Sequence, residues 1–261
     1  MEITPELSRL EQALTQIFGL VLKPATPTTL TTCAKCRGFK NPGFKTCFNC
    51  SLESGCDTAG FCTYAVYDSQ MMRYMYDYKR PSHQNANNVS RTVIASLLLS
   101  KLSRHLSCCE KKADMPLNYW TNVPSTNPSS SRSSSDHQLY KLAADIIRKI
   151  KPGLRYIPLT STLIDHSHSR VFRPDLYNLG SFEVTNAHIL LMEDTWVSGF
   201  HVESVAQMLK DAGAAKVSTL CLARAVDPRY KPNQQLVEAI KNHALVFNPE
   251  ICPWTQTGSC P

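Results

Sequence analysis

Ile189-Leu190-Leu191-Met192-Glu193-Asp194-Thr195-Trp196-Val197-Ser198-Gly199-Phe200-His201 is the stretch on which the reading of this chain turns. Four apolar residues, Ile189 to Met192, read as a buried strand. Two adjacent carboxylates and a short loop holding Ser198-Gly199 follow. The apolar spacing from Val202 to Ala212 then predicts a helix, which Gly213 stops. Working outward, Arg155 to Leu159 and Val217 to Ala223 read as further strands, and Asn233 to His243 as a helix. Strand–helix alternation of this kind predicts an α/β fold, a Rossmann-like parallel sheet with helices on both faces. In such sheets ligands bind beyond the carboxyl ends of the strands, which is where residues 193–201 should lie.

The residue types there suit a sugar phosphate. Backbone amides at a helix N-terminus attract phosphate by hydrogen bonding and through the helix dipole. Gly199 allows a close approach of the backbone, and Ser198 adds a hydroxyl. Glu193 and Asp194 can accept hydrogen bonds from ribose hydroxyls, directly or through Mg²⁺. Taken alone, a strand–acid–Gly–helix turn is equally compatible with a purely structural role.

The N-terminal half is organised differently. Thr4-Pro5-Glu6 is a helix start, and Leu7, Leu10, Leu14, Ile17 and Phe18 follow at helical spacing. Cys33-x-x-Cys36 and Cys47-x-x-Cys50 can supply four thiolates to one tetrahedral Zn²⁺. Cys56 and Cys62 read as small core residues, with replacement of a ligand as the alternative. Cys108-Cys109 and Cys221 read as packing residues. Cys252 and Cys260 read as a second metal pair or as nothing more than packing, with packing preferred. Val89, Val93, Ile94, Leu97, Leu98 and Leu102 suit a buried helix face. Leu117 to Val123 reads as a strand closed by Pro124. Residues 125–135, dominated by serine, read as a mobile low-complexity loop. Asp136 is placed to cap the helix that carries Leu139, Ala143 and Ile147.

The chain has 261 residues, 43% of them hydrophobic, and a formal net charge of +7. That is enough for an α/β domain of about 150–200 residues and a smaller module. The expected division is an N-terminal helix and zinc-ribbon module over 1–62 and the α/β domain over 63–261. Residues 1–112 hold 14 Lys/Arg against 8 Asp/Glu, and residues 113–261 hold 14 against 13, so the basic excess lies N-terminally. No run of about 18 apolar residues predicts a membrane span. The start of the chain lacks the pattern of a secretory leader, so a cytoplasmic location is expected. The eleven cysteines then point to metal rather than to disulfides.

A wider set of residues carries a family resemblance. Residues 189–224, with Leu209-Lys210-Asp211-Ala212-Gly213-Ala214 and the strand to Leu222-Ala223-Arg224, resemble the phosphoribosyl-diphosphate (PRPP) motif of type I phosphoribosyltransferases. With the cysteine ribbon upstream, the chain resembles the ComF family, a zinc ribbon followed by a phosphoribosyltransferase domain. Met75-Tyr76-Asp77-Tyr78-Lys79, Val123-Pro124, His137-Gln138-Leu139 and Arg173, Asn178 and Phe182 are similar to further segments of that family. The departures are Val197, Ser198 and His201 in the phosphate loop, the bulky Trp196 and Phe200, and a serine segment where the family has arginines.

The resemblance implies that Thr195, Trp196, Val197, Ser198, Gly199, Phe200 and His201 hold the 5-phosphate. Glu193 and Asp194 take the ribose hydroxyls in the catalytic role. Pyrophosphate sits near Pro124, Ser125, Thr126 and Arg132, with Mg²⁺ neutralising it. A nitrogen nucleophile then displaces pyrophosphate. The alternative is a single-stranded DNA-binding protein of the competence, or DNA-uptake, type that keeps the fold without catalysis, binding through the basic half and the tyrosines of 64–78. A third reading is a regulator that binds PRPP without turning it over.

Overall fold

The computed structural model describes residues 4–26, 31–52, 55–80, 84–125, 133–162, 171–242 and 246–261. Five strands form one all-parallel sheet in the order β1-β7-β6-β2-β3. They are β1 (Thr58–Val66), β2 (Tyr119–Asn122), β3 (Arg155–Tyr156), β6 (His188–Trp196) and β7 (Lys216–Val226). A separate antiparallel pair, β4 (Thr160–Ser161) and β5 (Tyr177–Asn178), stands beside it.

Period-two alternation along β6 splits the core in two. Leu190 and Met192 join one apolar cluster, with residues of α3 (Gln70–Asp77), α4 (Gln84–Ala113) and α5 (Gln138–Ile150). Ile189 and Leu191 join the other, with residues of α6 (Phe200–Asp211) and α7 (Gln234–Asn242) and with Cys33 and Cys36. Both faces are therefore covered, which is why the central strands read as continuous apolar runs. α1 (Pro5–Phe18) starts at Thr4, whose hydroxyl accepts from Leu7 N at 3.3 Å. It lies outside α4, and buried Glu11 there accepts from Arg104 Nε at 2.7 Å, Arg104 Nη2 at 2.6 Å and Ser100 at 2.8 Å.

Several expectations shift. β1 is a full nine-residue strand, concealed at the end of the cysteine-rich run that reaches Cys62 within it, and the division between residues 62 and 63 falls in its middle. β1 lies at the edge of the sheet, yet Tyr64 N donates to Lys23 O at 2.8 Å and Phe61 N to Pro253 O at 3.2 Å. The cap of α5 is His137, whose Nδ1 accepts from Leu139 N at 3.1 Å, whereas Asp136 ends a short 3₁₀ turn. Glu193 to Trp196 belong to β6 and not to a loop, because Thr195 and Trp196 still pair with Ala223 and Arg224 of β7. The turn before α6 is only Val197-Ser198-Gly199. No helix among the described residues is long and apolar enough to cross a membrane.

Candidate functional site

The sheet order places the site. From β2 the chain moves outward to β3 by way of α5, and from β6 it moves the other way to β7 by way of α6. The carboxyl ends of β2 and β6 are thus the point where the winding reverses and leaves a crevice. The pairing of β2 with β6 stops at Asn122–Met192, so Glu193 onward projects past the end of β2. A cleft of about 300 Å³ opens there, lined by Val123, Pro124 and Ser125 after β2, by Glu193, Asp194, Thr195 and Val197 of β6 and its turn, and by Lys79, His137 and His201.

Alternation sends the two adjacent acids to opposite faces. Asp194 follows Leu190 and Met192 and is buried. It accepts from Tyr78 Oη at 3.0 Å, pairs with Lys79 Nζ at 2.5 Å and faces His137 Nε2 at 3.6 Å. Because Nδ1 of His137 is used as the α5 cap, its neutral ring carries the proton on Nε2, toward the carboxylate. Burial would raise the Asp194 carboxyl, but Lys79, His137 and Tyr78 outweigh it and hold the group well below the usual carboxylate range. Glu193 follows Ile189 and Leu191, and its Oε1 accepts from Asp194 N at 2.8 Å. Desolvation, and after it the neighbouring Asp194 charge, push its carboxyl up to about 8. The two acids are therefore pushed apart, Asp194 toward its anion and Glu193 toward its protonated form.

The turn after β6 is shaped by Gly199, in the left-handed region at φ 92°, which caps α6. A Cβ there would come within 2.5 Å of Cζ2 of Trp196. Trp196 is buried beneath the turn, edge-on to Phe61 at 5.4 Å, so its side chain belongs to the core and only its backbone faces the turn. His201 Nδ1 and Tyr177 Oη lie 2.7 Å apart, which ties the first turn of α6 to β5. The serine segment is anchored at both described ends. Ser161 Oγ donates to Ser125 O at 2.9 Å, and Ser134 N donates to Leu159 O at 2.8 Å. Thr126 and Arg132 lie outside the described residues, as does most of the segment expected to be mobile.

The four ribbon cysteines come together, with their sulfurs within 4.8 Å of one another. Cys36 and Cys47 Sγ stand 3.7 Å apart, close to the edge of about 3.8 Å that Zn–S bonds of about 2.3 Å imply for a tetrahedron. Amides of Cys36, Gly38 and Cys47 donate to cluster sulfurs at 3.3–3.5 Å, which stabilises thiolates. The four residues fit a structural zinc ion. Cys56 stands apart and donates to Glu203, and Cys62 packs in the core.

Arg224 was legible only as part of a motif, and its role comes from the fold. Its Nε donates to Cys36 O at 2.7 Å, and its Nη1 to Trp196 O at 3.1 Å and Val197 O at 3.0 Å, so one guanidinium joins the ribbon to the turn before α6. On the opposite side, Lys35 of the ribbon pairs at 2.6 Å with buried Glu203 of α6. Among the tyrosines of 64–78, Tyr76 is exposed and Tyr67 and Tyr74 are half-buried. Tyr64 and Tyr78 are buried, with their hydroxyls spent on Arg37 O and Asp194.

No family model matches the sequence, and no curated protein matches it. Among solved structures, the chain is similar to the HGPRT-ase of Leishmania tarentolae in complex with GMP, at 17% identity over 51% of this chain and 67% of that one, with a TM-score of 0.32. The chain has the α/β architecture described above, a parallel sheet covered on both faces with a cysteine ribbon packed against it.

Proposed function

We propose that the cleft between the ends of β2 and β6 binds a ribose 5-phosphate bearing a diphosphate, with PRPP as the ligand, and that the protein is a phosphoribosyltransferase-like member of the ComF type. The observation that carries this reading is the convergence on one cleft of the Glu193–Asp194 pair, the turn capping α6, and the cationic Lys79 beside Pro124 and Ser125. The amides of Val197 to His201 suit the 5-phosphate, with Ser198 adding its hydroxyl. Glu193 and Asp194 suit the ribose hydroxyls. Glu193 in its protonated form donates as well as accepts, and Asp194 accepts. Lys79 and Ser125 suit the diphosphate.

Asp194 is already engaged by Lys79, Tyr78 and His137, so the acids do not present a ready Mg²⁺ site. Mg²⁺ would enter on the diphosphate, where it lowers the charge of the leaving group. A nitrogen nucleophile entering the cleft would displace pyrophosphate at C1, and the fixed Asp194 charge would favour the cationic sugar that develops.

Titration calorimetry with PRPP and Mg²⁺ tests this, with ribose 5-phosphate alone as a second ligand. Binding by the wild type that falls at least tenfold in Glu193→Gln/Asp194→Asn supports the reading. A folded wild type that binds neither ligand at millimolar concentration ends it. Turnover is scored separately, as pyrophosphate released with nitrogen acceptors.

A further inference from the structure

His105 and Cys108 lie one turn apart on α4, and Cys252 and Cys260 lie about 150 residues later, at the two ends of the C-terminal loop. The fold brings all four together. Nδ1 of His105 and the three sulfurs lie within 4.8 Å of one another, and His105, Cys108 and Cys252 are buried. Cys260 Sγ is 3.4 Å from His105 Nδ1, and Cys108 Sγ is 3.9 Å from it. These distances bracket the N–S edge of about 3.6 Å that Zn–N of about 2.0–2.1 Å and Zn–S of about 2.3 Å imply for a tetrahedron.

The imidazole is also held in the right state. His105 Nε2 lies 2.8 Å from Pro249 O. A carbonyl only accepts, so the proton sits on Nε2 and the Nδ1 lone pair faces the three thiols. A second hydrogen bond of this kind fixes tautomer and ring orientation in histidines that bind metals.

The loop itself supplies a second argument. Residues 246–261 contain no helix or strand. Their shape depends on contacts to α4: Lys101 Nζ donates to Asn248 O and Ile251 O at 2.9 Å, Lys112 Nζ to Trp254 O at 2.7 Å, and Trp254 Nε1 to His105 O at 2.9 Å. Cys252 N closes the loop on Gly258 O at 2.7 Å. An ion held by three thiolates carries a net charge of about −1, and Lys101 and Lys112 of α4, both close enough to feel Cys252, are placed to offset it.

We propose that His105, Cys108, Cys252 and Cys260 form a second, closed Cys₃His zinc site that fastens the C-terminal loop to α4. Four protein ligands leave no open position, so the ion is structural, and soft thiolates with one imidazole select Zn²⁺ over hard divalent ions. The site is independent of the reading of the PRPP cleft.

Metal analysis of the full-length protein, purified without chelator and refilled with ZnCl₂, tests it. The wild type should hold about two zinc ions per chain. Cys252→Ser/Cys260→Ser and, separately, His105→Asn should each lower the ratio to about one, as should Cys33→Ser/Cys36→Ser at the ribbon. X-ray absorption on the wild type keeps the test open if the variants do not fold. Two ions sharing seven sulfurs and one nitrogen support the site. About one ion per chain with an all-sulfur ligand set overturns it, as does a disulfide among Cys108, Cys252 and Cys260 found in the zinc-refilled protein.

Discussion

Glu193→Gln should stabilise the protein, and by more as the pH rises. The carboxyl of Glu193 is pushed up to about 8 from an ordinary value of 4.5, with desolvation first among the causes and the Asp194 anion second. A group whose folded value lies above its unfolded value binds more protons when folded, so stability falls as the pH rises between the two values. At pH 5.5 the unfolded chain has released most of this proton and the folded one almost none. By pH 8.5 both have released most of it, and the cost of ionising a desolvated acid is nearly complete. At about 1.4 kcal/mol per unit, the stability of Glu193→Gln relative to wild type should grow by roughly 3 kcal/mol from pH 5.5 to pH 8.5. Urea denaturation of both proteins at several pH values measures this, and taking the difference cancels the pH sensitivity of the cysteine clusters that both share. A difference that stays flat, or that shrinks with pH, would show that Glu193 is ionised in the folded protein and would remove the division of roles between the two acids.

Arg104→Ala should cost about 3–5 kcal/mol, since it leaves Glu11 buried without its two guanidinium bonds, and Glu11→Gln/Arg104→Ala should recover part of that in the same denaturation assay. Gly199→Ala combines a left-handed backbone with a Cβ driven into Trp196, so a loss of roughly 2–4 kcal/mol is expected by thermal or chemical unfolding. A cost below about 0.5 kcal/mol would contradict the packing described for the turn. Arg224→Ala removes the bonds that join Cys36 O to Trp196 O and Val197 O, and hydrogen exchange should then rise in residues 196–200 while β7 stays protected.

What could be read from the sequence followed physical periodicity. The run Ile189 to Met192 and the stripe Leu139, Ala143 and Ile147 show their structures because each buries one face, or both, at a regular spacing. β1 lacks such a signal. Thr58-Ala59-Gly60-Phe61-Cys62-Thr63-Tyr64 is almost wholly buried, but its small and polar residues are accommodated by neighbours such as Trp254 over Gly60, which no local pattern encodes. Glu193 and Asp194 were legible as a pair of acids. That they differ in ionisation depends on Tyr78, Lys79 and His137, which arrive from two other elements. The sequence leaves Cys252 and Cys260 open between packing and a metal pair, because their neighbours His105 and Cys108 are remote in the chain and meet them only through α4.

The coverage of β1 has a consequence for assembly. A bare parallel edge would offer its amides to any strand from another molecule, and sheets left open in this way invite edge-to-edge aggregation. Here the donors of Phe61 and Tyr64 are taken by Pro253 O and Lys23 O, on segments that carry Pro24 and Pro253 and cannot themselves extend the ladder. The opposite edge, β3, is two residues long. Release of the 252–260 loop would thus unmask a templating surface while the sheet beneath stays intact, and the first sign of damage at that loop should be self-association of a still-folded protein.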